Sequence, residues 1–403
     1  MLYRTMKKTG DDLSVLGFGC MRLPKKGISI DEERAIKQIR YDIDKGVNYI
    51  DTAMIYAGSE HLLSSALSDG YRERIKLATK MPPMYVKSRE DMDKLLEVQL
   101  KTLKTDHIDY YLIHHLASAS AWRKLKDLGI ADFLDKTKAD GRIVNAGFSS
   151  HANIDDFKEF VDGYGWDFCQ IQYNYMDEKN QAGTEGLRYA ASKGLGVIVM
   201  EPIRGGNLAK KAPPEVQSVW DEADIKRTPA EWALRWVWDH PEVNVVLSGM
   251  NEEAHIDENL RIANEAYPNS LTEKELNLVK RAEAVYRKLT KINCTGCRYC
   301  MPCPAGVDIP RCFDLYNTGN NGNAPPKIAY QLVVGGKMDG IKPSYASFCK
   351  NCGKCVKICP QHIDIPQNLK TIVGQYETVD ARILGTIVGY FMRFDRWRMM
   401  RKA

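Results

Sequence analysis

From the N-terminus to about residue 265, short apolar runs rich in β-branched residues alternate with stretches whose apolar positions recur at helical spacing. The extended runs fall at 16–21, 49–53, 75–79, 108–113, 143–148, 168–172, 197–200 and 243–247. Helical periodicity is plain in DEERAIKQIRYDIDKG (31–46) and DMDKLLEVQLKTLK (91–104). Thr228-Pro229-Ala230-Glu231 predicts a helix start, with Thr as N-cap, Pro at the first helical position and Glu closing a capping box. Strand–helix alternation predicts a parallel sheet covered by helices, since parallel neighbours need a crossover connection. Eight such units in this length predict an α/β chain built as a closed (β/α)8 TIM barrel. An open doubly wound sheet is the alternative. It loses ground because the first strand runs into LGFGCMRLP (16–24) and not into a GxGxxG turn.

Beyond a further helical stretch, ELNLVKRAEAVYRKLT (275–290), the texture changes. From Cys294 to Asn368 the chain is rich in Cys, Gly, Asn and Pro, with two short helical candidates at 310–317 and 325–334. Of the 11 cysteines, eight fall here in two tight groups. The chain opens without an apolar signal-peptide core and has no run of about 18 apolar residues, so neither export nor a spanning helix is expected. Clustered cysteines in such a chain suggest metal binding in a reducing compartment, the cytoplasm, and not disulfides.

The second cysteine group is Cys349-x2-Cys352-x2-Cys355-x3-Cys359-Pro360, the bacterial ferredoxin run in which three thiolates hold one cluster and the fourth reaches a neighbouring one. Four thiolates also suit structural zinc, but the three-plus-one spacing before Pro favours iron–sulfur. The first group, Cys294-x2-Cys297-x2-Cys300-x2-Cys303-Pro304, is one residue short before its fourth Cys. Crossed ligation would give Cys294, Cys297, Cys300 and Cys359 to one [4Fe–4S] cluster and Cys303, Cys349, Cys352 and Cys355 to the other. Cys312 is an alternative to Cys303. The long spacer between the groups, with helical patterns inside, resembles an α-helical ferredoxin domain. The expected organisation is therefore a barrel over 1–285, a small, mainly helical ferredoxin-like domain with two clusters over 286–370, and a tail over 371–403. Cys20 and Cys169 fall in predicted barrel strands and read as buried, inert thiols.

Four polar residues lie at the C-terminal ends of successive predicted strands, where barrel active sites are built: Asp51 and Tyr56 after the second, Lys80 after the third and His114 after the fourth. Their segments YIDTAMIY, LATK and IDYYLIHH, with LGFGCMRLP, GFSS, QIQYN and MEPIRGG, resemble the aldo/keto reductases over residues 1 to about 265. The resemblance, with the cysteine domain behind it, implies the subgroup that carries a C-terminal [4Fe–4S] domain. It implies reduction of a small-molecule carbonyl by NADPH or NADH, with Tyr56 as acid, Lys80 lowering its pKa, Asp51 holding the lysine and His114 orienting the carbonyl oxygen. It also implies cofactor contacts at Ser149 and Gln170 (carboxamide), at Met200 where the family often stacks a Tyr, and at Ser248 and Asn259. The family's basic pair for a 2′-phosphate is replaced by Gly249 and His255, which leaves NADPH and NADH both open.

The formal charge of +5 equals the excess of six basic residues over one acid from Ala381 onward, so the first 380 residues are neutral and no nucleic-acid face is implied. The tail, apolar over 383–392 and then RFDRWRMMRKA, can lie on an anionic membrane surface. The favoured reading is a helix packed on one of the domains with its arginines in water. Three function classes follow: a carbonyl-reducing oxidoreductase whose clusters relay electrons, an electron-transfer protein coupling its clusters to a redox partner or an organic acceptor in the barrel, and a barrel that senses nicotinamide redox state. The four-residue constellation favours the first, and the clusters favour the second.

Overall fold

The computed structural model describes all residues except 27–28, 210, 290–291, 293, 295–299, 321–326, 338–341, 360–362 and 401–403. Cys297 and Pro360 thus lie outside the described residues. The chain divides into two units, Met1–Arg281 and Ala282–Lys402.

The first unit is a closed barrel of eight parallel strands: β1 (Leu16–Gly19), β2 (Tyr49–Asp51), β3 (Lys76–Met81), β4 (Ile108–Leu116), β5 (Ile143–Ser150), β6 (Phe168–Gln172), β7 (Gly196–Met200) and β8 (Val243–Ser248). Each strand pairs with its successor and β8 closes on β1, so no edge is left open. The surrounding helices are α1 (Glu32–Asp44), α2 (Ser59–Ala66), α3 (Arg89–Leu103), α4 (Ala119–Asp127), α5 (Ile130–Ala139), α6 (Ile154–Asp162), α7 (Gly183–Ser192), α8 (Pro214–Trp220), α9 (Pro229–Trp238) and α10 (Glu253–Ala263). A helix α11 (Glu273–Leu289) crosses the boundary between the units in sequence.

All eight expected strands are present, with shifted ends. Cys20 is not in a strand but in a helical turn, Cys20–Arg22, just past β1, whereas Cys169 lies within β6. The sequence pattern gave no sign of an antiparallel hairpin, Tyr3–Thr5 with Asp12–Ser14, ahead of the barrel. Its Met6 and Leu13 join Tyr49, Tyr110, Phe168, Ile198 and Val245 in the barrel interior, where Tyr49, Tyr110 and Phe168 meet edge to face. The start of α9 is half as expected. Thr228 Oγ1 accepts from the Glu231 N–H at 3.0 Å, but the Glu231 carboxylate binds Arg235 Nε at 2.8 Å and Arg261 Nη2 at 2.5 Å and does not close a capping box. Charge-assisted bonds to two arginines outcompete a single backbone N–H.

The second unit is helical: α12 (Ile309–Asn320), α13 (Lys327–Val333), α14 (Lys354–Lys357), α15 (Ile365–Tyr376) and α16 (Val379–Met400). Val307, Phe313, Tyr330, Leu369 and Ile372 centre its core, and six cysteines of the two groups pack against that core, half-buried. The phenol of Tyr330 donates to Glu377 at 2.8 Å and accepts from the Ala346 N–H at 3.1 Å, which satisfies the polar groups sunk among these side chains. The expected tail is mostly α16, and it packs on α13 inside this unit.

Candidate functional site

Asp51 ends β2, and Lys80 sits in β3 two residues past Ala78, the register partner of Asp51. The Lys80 ammonium is fully buried and donates to both Asp51 oxygens, at 2.6 and 2.7 Å, and to the Thr52 carbonyl at 2.7 Å. Burial works against that charge, but Asp51 and Tyr56 outweigh it and hold the ammonium above its ordinary pKa. The loop between β2 and α2 carries Tyr56 over the lysine, with Nζ 5.2 Å from the ring centre. His114 meets the same ring edge-on, 5.8 Å between centroids and 85° between planes. Four residues spread from position 51 to position 114 thus converge on one end of the barrel.

Two expectations change here. Lys80 was expected to lower the Tyr56 phenol, and it does pull that way. Burial is the larger influence, with Asp51 and Cys20 adding to it, and the net shift is upward. His114 was expected beyond its strand, yet β4 continues to Leu116 with a register irregularity between Ile113 and Leu116. An irregularity of this kind re-aims a side chain, and the neighbouring His115 has φ +55°. Burial drives the His114 imidazole well below its usual pKa, with the charges of Lys80 and His151 adding to the effect, so it is neutral near pH 7. Its Nδ1 is buried with no partner among the described residues.

The residues assigned to the cofactor lie along the same barrel end. Ser149 and Gln170 are register partners on β5 and β6. Ser149 Oγ accepts from the His115 N–H at 2.8 Å, and Gln170 Nε2 lies 3.3 Å from Met200 Sδ. Gln170 Oε1 is buried with no partner among the described residues, an acceptor ready for an amide N–H such as that of a nicotinamide. Asn259 Nδ2 donates to Ser248 Oγ at 3.0 Å, joining α10 to the end of β8. His255, at one of the two positions expected to face the adenosine phosphate, is exposed; of the arginines, Arg34 is taken by Glu252 and Glu253, Arg261 by Glu231, and Arg204 lies 3.2 Å from Asp177. Sequence reasoning missed Thr52, His151 and the buried Glu60–Thr79–Gln99 network beneath Lys80, in which Glu60 accepts at 2.6 and 2.8 Å. Only the fold reveals these, because each acts through a neighbour on another strand.

In the second unit, Cys303 of the first group lies within electrostatic reach of Cys355, together with Cys349 and Cys352 of the second. Burial raises the Cys355 thiol, and these three neighbours raise it further. Asn351 and Gly353, at φ +52° and +71°, turn the chain on either side of Cys352. Cys312 lies elsewhere, fully buried in the core with its sulfur 3.5 Å from the Tyr330 phenol. Soft thiolates in this number suit iron–sulfur clusters. Among the described residues no group of three or more His, Cys, Asp or Glu side chains is already arranged to hold a metal ion.

Residues 15–283 match the aldo/keto reductase family. The chain belongs to that family. Further along this aldo/keto reductase, residues 293–365 match the 4Fe-4S dicluster domain. The L-galactose dehydrogenase of Arabidopsis thaliana is 24% identical over 308 residues, spanning 71% of this chain and 96% of the plant protein. The 6-dehydroglucose reductase of Novosphingobium aromaticivorans is 28% identical over 278 residues, 64% of this chain and 88% of that one. Among solved structures, the aldo-keto reductase AKR11C1 of Bacillus halodurans in its holo form has the same barrel, with TM-score 0.59 at 24% identity, covering 70% of this chain and 96% of its own.

Proposed function

We propose that this aldo/keto reductase reduces the carbonyl group of a small molecule, with Tyr56 as proton donor, and that its dicluster domain holds two [4Fe–4S] clusters that exchange electrons with a redox partner protein. The observation that carries the first half is the buried Lys80–Asp51 pair under the Tyr56 ring with a neutral His114 at its edge. A bound NADPH or NADH supplies a hydride, two electrons with one proton's nucleus, to the carbonyl carbon. As negative charge gathers on the carbonyl oxygen, the Tyr56 hydroxyl delivers its proton there, giving an alcohol and leaving a phenolate beside the Lys80 ammonium. His114, neutral, donates a single N–H to the same oxygen and orients it. Asp51 keeps the ammonium in place, and solvent returns the proton to Tyr56. Ser149 and Gln170 would hold the carboxamide of that nucleotide, with Met200, Ser248 and Asn259 as its further contacts.

Cys303, Cys349, Cys352 and Cys355 would hold one cluster, and Cys294, Cys297, Cys300 and Cys359 the other. Such clusters move one electron at a time, and thiolates in this number suit the cytoplasm. The dicluster domain also favours a second reading, electron transfer to an organic acceptor bound in the barrel, because clusters are unnecessary for hydride transfer.

The test is anaerobic purification with iron and sulfide analysis, followed by assay of Tyr56→Phe against a panel of aldehydes and ketones. Loss of the positioned acid should slow reduction by roughly 10²–10⁴ while nucleotide affinity stays within a few-fold. Retention of most turnover would remove Tyr56 as the acid and favour the electron-transfer reading.

A further inference from the structure

The helix α16 packs in the sense opposite to an ordinary amphipathic helix. Its inner face is made of small residues: Ala381 is buried, a Cβ on Gly385 would stand 2.5 Å from Gln331 Cβ, and one on Gly389 would lie 3.6 Å from Lys337 Cβ. Lys337 reaches across to the Arg382 carbonyl at 3.3 Å and to Thr386 Oγ1 at 2.9 Å. At about 100° per residue, positions four apart stay on one side of a helix, so this seam runs straight along α16. The opposite side carries Ile383, Ile387, Tyr390 and Phe394, flanked by Leu384 and Phe391. Ile383, Ile387 and Phe394 are each 56% exposed, Tyr390 63% and Phe391 66%. A helix serving only to cover α13 would turn such side chains inward, because each large one left in water forgoes burial worth about 1.5–3 kcal/mol.

We propose that this outward face of α16 docks on an anionic lipid surface. Charge selects the occupant. From Ala381 on the sequence carries Arg382, Arg393, Arg396, Arg398, Arg401 and Lys402 against Asp395 alone, the whole +5 of the chain, while the first 380 residues are neutral. Basic residues next to an apolar stripe are attracted to the negative potential of anionic lipids over about one Debye length. The stripe ends in aromatic residues, Tyr390, Phe391 and Phe394, the side chains that settle at a membrane–water boundary. Among the described residues no helix is long and apolar enough to cross a membrane, so α16 would lie in the interface plane.

The experiment is co-sedimentation of the full-length, cluster-loaded protein with phosphatidylcholine vesicles, alone or containing roughly 30% phosphatidylglycerol. We expect binding to the anionic vesicles, little to the neutral ones, and release as salt rises from about 0.1 to 0.5 M. The double variant Ile387→Ser with Phe391→Ser should weaken partitioning roughly tenfold or more, and Arg398→Glu about fivefold or more. All three residues are exposed, so iron content and circular dichroism should match wild type and certify a folded protein. The proposal is overturned if wild type stays in the supernatant, if it binds neutral vesicles equally well, or if the folded double variant binds undiminished. A dimer in solution that the double variant dissolves would assign the stripe to a second copy and overturn it as well.

Discussion

The barrel and the dicluster domain assemble their chemistry in opposite ways. In the barrel the candidate catalytic groups are already paired: Lys80 is buried against two carboxylate oxygens and a backbone carbonyl, the Tyr56 ring lies over it, and His114 meets that ring's edge. Closed hydrogen bonding on eight strands holds that geometry. In the dicluster domain the thiols are gathered around a core, yet no three are arranged to hold a metal among the described residues. The barrel's candidate site draws on four residues of three strands and one loop, whereas the cysteines come in two short runs of sequence.

The largest expected effect tests the second half of that contrast. With crossed ligation, wild-type protein should hold about eight irons as two cubane clusters. Cys303→Ala should abolish the signal of the cluster shared with Cys349, Cys352 and Cys355, and Cys359→Ala that of the other. Electron paramagnetic resonance of the reduced, soluble variants reads this out. Damage by each variant to the cluster of its own sequence group would refute the crossing, and barrel nucleotide binding should survive both changes.

The next effect tests the barrel's self-sufficiency. Asp51→Asn leaves the Lys80 ammonium buried without its counter-charge, which should cost about 3–5 kcal/mol of stability or force the lysine to give up its proton. Denaturant unfolding followed by tryptophan fluorescence reports on the barrel, since Trp122, Trp166, Trp220, Trp232, Trp236 and Trp238 all belong to it. An unchanged midpoint would mean that the pair is not an anchor.

A pH-dependent effect comes from Asp42 on α1. It is fully buried, neither carboxylate oxygen has a partner among the described residues, and burial, aided by the charge of Asp257, pushes its pKa up to about 8. The folded state therefore holds a proton that the unfolded chain, with a pKa near 3.9, releases. The stability due to the protonated form is complete below about pH 4 and is lost as pH rises through about 8. Asp42→Asn should flatten that slope and outlast wild type at about pH 9, with little difference near pH 4; parallel melting curves at the two pH values would discount the idea.

The smallest effect concerns the nucleotide. With Gly249 and His255 at the positions of the usual basic pair, and Arg34, Arg204 and Arg261 engaged by acids, discrimination between NADPH and NADH should stay below about tenfold, about 1.4 kcal/mol. Titration of both decides it. A preference for NADPH above about a hundredfold would mean that one of those arginines leaves its carboxylate for the 2′-phosphate.

The sequence by itself determined the alternation of eight strands with helices, the residues that make the candidate active site, and the two cysteine groups. Each was legible because it repeats at a short period or falls within a few residues: the pleat and helix periods, DTAMIY, and Cys-x2-Cys. Tertiary structure decided what depends on neighbours distant in the chain. The hairpin that sends Met6 and Leu13 into the barrel has strands too short to show a period. Burial reversed the shift expected for Tyr56, because desolvation is a property of the packed site and not of the residues adjoining Lys80. Glu231 left its capping box for Arg235 and Arg261 on account of a partner 30 residues away. The outward stripe of α16 likewise could not be read from its composition. The same apolar and small positions fit either orientation, and only the close approach of Gly385 to Gln331 turns the isoleucines and aromatics toward water.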